Sequence, residues 1–160
     1  MADITHTFAR KLEVTRWGRA VEAAFVAGAV FLIMQMLLLA LFDGRNPMEP
    51  ARWTAAIVMG QEVLWQTGFD IWVLVGALLV NFGLAVLFAW ILTPIIAEMR
   101  LPQALATGAV FGLALFIVNF YLLSGLFPWF RVARGWITLF NHLLFGVTLA
   151  WSYLRLRDRN

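Results

Sequence analysis

The chain contains no cysteine. That excludes disulfides, thiolate metal sites, thiol redox chemistry and cysteine nucleophiles together. Charge is scarce as well, at 13% of residues. A soluble domain carries about a quarter. Recognisable catalytic patterns are also missing: no nucleotide loop, no catalytic triad and no paired carboxylates. Gly108 and Gly112 lie in an apolar run and form no phosphate loop. What the chain has instead is hydrophobic surface, 62% of residues, with a mean hydropathy of +0.83. A surface this poor in charge cannot face water all round. The length of 160 residues suits one domain.

Four apolar runs account for most of the chain, at about 20–42, 71–92, 104–127 and 136–154. A bilayer-spanning helix needs about 20 such residues. Hydrocarbon admits only helices and closed barrels, because every backbone polar group needs an internal partner. Runs this long without period-two alternation are helices. The first run is too long for a signal-peptide core, and Asp43, Gly44 and Arg45 follow it rather than a small-residue cleavage site. It reads as an uncleaved span. The expected fold is therefore all-α: a four-helix membrane bundle in a single transmembrane domain. With no cysteine pairs, the four-helix quinone–disulfide oxidoreductases are excluded.

Orientation follows from Lys and Arg. Arg10, Lys11, Arg16, Arg19, Arg100, Arg155, Arg157 and Arg159 fall on one side, and Arg45, Arg52, Arg131 and Arg134 on the other. The positive-inside rule places the richer side, with both termini, in the cytoplasm. This distribution explains the net charge of +3 and the pI near 10.2, so no nucleic-acid partner is implied. Trp17, Trp72, Trp90, Trp129, Trp136 and Trp151 fall near span ends, as interfacial anchors do.

The two halves share markers in the same order. Gly28-Ala29-Val30-Phe31 is matched by Gly108-Ala109-Val110-Phe111. Pro50-Ala51-Arg52-Trp53 is matched by Val132-Ala133-Arg134-Gly135-Trp136, and Asn81 with Trp90 by Asn141 with Trp151. The order predicts two similar helix–outer loop–helix hairpins of parallel topology. In the longer outer loop, Pro50 suits a first helical turn and Gly60 an end, so a short interfacial helix is expected over about 50–59. Ala24 and Gly28, and Ala104, Gly108 and Gly112, repeat a four-residue spacing. Small residues so spaced let helix backbones approach closely, within the chain or between copies of it.

Polar residues inside the spans carry the most information. Gln35, Asn81, Asn119 and His142 come one from each span, roughly 9–15 Å below the outer boundary at about 1.5 Å of rise per residue. Asn141 neighbours His142 but points about 100° away. Such a layer is either a hydrogen-bond network fixing helix register or a ligand or proton-relay site opening outward. Arg52, Tyr121, Arg131, Arg134 and Trp136 are expected to stand above it as an outer rim, able to hold an anion, a carboxylate, lipid headgroups or a neighbouring subunit. His142 is the one histidine in a span, with His6 on the opposite side, so the chain alone offers no bis-histidine haem site. No carboxylate lies at that depth, so neither a metal nor another cofactor is expected. Glu22 follows Arg19 by three residues, which predicts an ion pair at the cytoplasmic edge rather than a transporter's midplane acid.

Several stretches resemble a group of small four-span bacterial membrane proteins. They are Arg45-Asn46-Pro47, Pro50-Ala51-Arg52, Ala55 to Gly60, Asn119-Phe120-Tyr121, Phe127-Pro128-Trp129-Phe130, Ala133-Arg134, Trp136, His142-Leu143, Phe145-Gly146, Trp151 and Tyr153. Some members of that group carry a sodium:proline symporter label. That label implies many more spans, with broken helices, where this chain has four intact ones. The resemblance thus implies a multi-pass setting in the bacterial inner membrane and no activity. Two functions follow as expectations. One is a non-enzymatic accessory or interaction subunit of a membrane assembly. The other is a small oligomeric transporter or ligand-binding protein using the polar layer. Membrane lipid is the partner common to both, with a homo-oligomer or a larger complex beyond it. The short loops and the lack of a catalytic set favour the first.

Overall fold

The computed structural model describes residues 15–159; His6, Arg10 and Lys11 lie outside them. The described residues form five α-helices and no strand: α1 (Trp17–Phe42), α2 (Glu49–Met59), α3 (Ile71–Ile96), α4 (Leu101–Ile117) and α5 (Trp136–Arg157). Four helical segments are long and apolar enough to cross a bilayer: α1, α3, α5 and Leu101–Gly125, which continues α4. The exposed faces of these helices are apolar, with Ile33 and Leu41 on α1, Leu79 on α3 and Val110 on α4.

Local chemistry sets the boundaries. The Asp70 carboxylate accepts the Trp72 N–H at 2.8 Å and caps α3. Pro50 occupies the first turn of α2, and Gly60 ends it at φ 90°, a conformation other residues avoid. The third span departs from expectation. Its regular helix stops at Ile117, widens into a π-turn over Val118–Leu122 and tightens to a 3-10 turn over Leu123–Gly125. It is therefore not an intact helix to 127.

The helices pack in the order α3, α1, α5, α4, so α3 and α4 are neighbours in sequence but scarcely meet in space. α5 is the hub: 61% of its most apolar stretch is buried, against 28–33% in the other spans. Backbone proximity explains why. A Cβ added to Gly108 would run into the Gly146 carbonyl, and one on Gly112 into the His142 carbonyl. The stripe Ala104, Gly108 and Gly112 thus packs within the chain, and Gly146 completes it from the facing helix. On α1, Ala20, Ala23, Ala24 and Ala27 are fully buried, and Gly28 lies against Asn81, Phe82 and Ala85 of α3. Without a hydrophobic driving force between helices in lipid, this close van der Waals packing holds the bundle.

α2 lays Ala51, Ala55 and Ala56 against Val73 and Ala77 of α3. Its backbone is latched to the segment between α4 and α5, where Trp129 Nε1–H donates to the Trp53 carbonyl at 3.0 Å. At the other end of the bundle, Arg157 donates to the Ala97 carbonyl and Arg16 Nη1 to that of Arg159 at 3.3 Å. Both described chain ends and the α3–α4 turn therefore share one end. Arg19 and Glu22 pair there at 2.9 Å. The paired markers of the two halves are used differently. Asn81 donates to the Gly28 carbonyl, whereas Asn141 reaches across to Phe31 and Gln35 rather than to Gly108.

Candidate functional site

The gap between α3 and α4 is a cavity of about 340 Å³. Small-molecule sites span about 300–1,000 Å³. Gln35, Asn81, Asn119 and His142 all line it, so the structure brings the expected polar layer to one place. The remaining walls are apolar and rich in rings, with Phe31 from α1, Phe88 from α3 and Phe145 from α5. α2 and the segment between α4 and α5 roof the cavity through Trp53, Ile57, Phe127 and Phe130. Among the described residues no charged side chain lines it. Leu84, Leu87 and Val118 line the cavity and are also 36%, 47% and 39% exposed. They mark a mouth between α3 and α4 that opens at the side of the bundle.

Three layer residues form a connected chain. Gln35 Nε2–H donates to Thr138 Oγ1 at 3.1 Å, and Asn141 Nδ2 donates to Gln35 Oε1 at 2.9 Å and to the Phe31 carbonyl at 2.8 Å. The Thr138 carbonyl lies 2.8 Å from His142 Nδ1. A carbonyl only accepts, so Nδ1 carries the proton. Nε2 then accepts from Asn119 Nδ2 at 3.3 Å. His142 is thereby satisfied as a neutral imidazole, edge-on to Phe31 at 5.0 Å and Phe120 at 5.3 Å. Asn81 stands apart from this chain, its Nδ2 donating to the Gly28 carbonyl at 3.1 Å.

Sequence reasoning missed two members. Thr138 carries no charge and resembles any span threonine. Asn141 was set aside by its angle from His142. That angle instead turns it toward α1, because α5 is central and has partners on two sides. The spacing of Thr138, Asn141 and His142 at i, i+3 and i+4 was the available signal.

The expected rim does not converge. Arg52 is 7% exposed and donates to the Gly68 carbonyl at 2.6 Å, so it anchors the loop before α3. Arg134 donates to the Phe120 carbonyl at 2.6 Å and to Ser124 Oγ at 2.9 Å. It thus ties the start of α5 to the π-turn, with its guanidinium 4.4 Å from the Tyr121 ring centre. Trp136 packs edge-on to Phe42 at 5.7 Å, and Arg131 is exposed. Arg134 and Trp136 line one small pocket with Arg45, whereas Arg52 lies apart from it. No known protein family, curated protein or solved structure matches the chain.

Proposed function

We propose that this is an integral membrane protein that binds an uncharged, lipid-soluble ligand and performs no chemistry on it. The observation that carries the reading is the cavity between α3 and α4, apolar, free of charge and open at its side. A ligand dissolved in the bilayer can enter there without crossing water. The fixed polar cluster at the wall supplies orientation. In this reading the positive-inside tally sets both ends in the cytoplasm, and the resemblance to small four-span proteins sets the chain in a bacterial inner membrane. The ordered markers support an origin by duplication of a hairpin, with the contacts since diverged.

A second reading, an accessory subunit of a membrane assembly, is favoured by one feature. The outer loops expose Trp65, Phe69, Leu126 and Val132, large apolar side chains that a partner would cover. Native mass measurement after extraction in mild detergent separates the two. Ligand binding predicts a retained small neutral mass, lost in Leu84→Trp, which plugs the mouth. Co-extraction of another protein chain with no small molecule would overturn it in favour of the subunit.

A further inference from the structure

We infer that the cavity takes the flat, uncharged ring headgroup of a prenylated quinone, with its tail leaving between α3 and α4. This deepens the ligand-binding reading and rests on it. It concerns binding alone, with no electron transfer.

Charge narrows the class first. Among the described residues no Lys, Arg, Asp or Glu lines the cavity, and both ring nitrogens of His142 are already partnered as a neutral imidazole. A phosphate, carboxylate or ammonium headgroup there would be buried without a counter-charge, at a cost no neutral wall repays. Phospholipids and ionised fatty acids are therefore poor occupants.

Shape narrows it next. Phe31, Trp53, Phe120, Phe127, Phe130 and Phe145 all face the space. Aromatic faces and edges favour a flat ring over flexible glycerol. At about 340 Å³ the cavity accommodates a substituted ring and the first part of a tail, not a long chain. The rest of the tail needs an exit into lipid, and the mouth at Leu84, Leu87 and Val118 provides one.

Hydrogen bonding narrows it last. Asn81 comes from α3 and Asn119 from the π-turn after α4, the two walls that scarcely touch each other. Each carboxamide uses one N–H internally, on the Gly28 carbonyl and on His142 respectively. Each keeps a second N–H, and a carboxamide has two. Donors on two facing walls match the two carbonyl oxygens on opposite sides of a quinone ring.

The test uses the full chain in nanodiscs of phosphatidylcholine, titrated with a short-tailed alkyl benzoquinone. Trp53 lines the cavity, so its fluorescence reports the ring. The expected result is saturable quenching that disappears in Trp53→Phe and needs at least ten-fold more ligand in Asn119→Leu. Leu84→Trp, whose side chain sits at the exposed mouth, gives the same loss without touching the polar cluster. Circular dichroism confirms that each variant keeps its helices. Diacylglycerol, neutral but without a ring, is the second titrant and should not compete. Saturable diacylglycerol binding with none for the quinone would overturn the ring assignment and leave the neutral-ligand reading standing. Quinone quenching that rises linearly and identically in every variant, with no diacylglycerol binding, would overturn both.

Discussion

Gln35 shows at the scale of one side chain how a polar group is kept in an apolar bundle. It donates to Thr138 and accepts from Asn141, so it ties α1 to α5 at two points. Gln35→Leu removes both bonds and leaves Asn141 short of one acceptor. The expected cost is about 1–3 kcal/mol, measured as a lower midpoint in detergent unfolding. Much of this was legible in the sequence. One polar residue per span at a common depth was enough to expect a cluster, and all four line one cavity. The partner assignments were not legible, because they depend on how each helix is rotated. Asn141 is the instructive case: its own helix gave its direction, and only the central place of α5 gave it a partner. The arginines failed for a different reason. Sequence shows a charge at an outer edge but not the carbonyl it will cap, so Arg52 and Arg134 read as free.

The spans themselves, as elements, were read closely, since length and hydropathy decide them. The π-turn at Val118–Leu122 was not, because nothing in Val-Asn-Phe-Tyr-Leu breaks a helix. It comes with a tertiary contact: Arg134 donates to the Phe120 carbonyl within the turn and to Ser124 Oγ just after it. The turn in turn sets Asn119 against His142. Helix crossing was half-legible. The spacing of Gly108 and Gly112 announced a close approach, but the facing Gly146 was needed to make it. Gly112→Ala forces a methyl against the His142 backbone and should cost about 1–3 kcal/mol while shifting α5. Gly83→Ala lies on the open side of α3, where an added Cβ meets nothing within 4 Å. It should leave stability unchanged or raise it by up to about 1 kcal/mol, through alanine's higher helix propensity. Equal effects from the two substitutions, read by thermal unfolding in the same detergent, would contradict the crossing.

For the whole molecule, the order α3–α1–α5–α4 has a direct consequence. Consecutive spans α3 and α4 are held largely apart, and α2, latched to Trp129 of the segment between α4 and α5, helps to bridge them. No sequence pattern stated that order, because short turns predict that neighbours in the chain pack together. The absence of cysteine makes the arrangement easy to map. Gln66→Cys and Arg131→Cys should react with a membrane-impermeant thiol reagent from outside the cell. Arg159→Cys should react only after lysis. The sideways mouth is the claim on which the functional reading turns. A nitroxide attached at Leu87→Cys, in protein reconstituted into bilayers, reports which solvent fills it. The account predicts frequent collision with dissolved oxygen and little with a water-soluble nickel complex. Strong relaxation by the nickel complex would mean that water, not lipid, occupies the opening, and would contradict it.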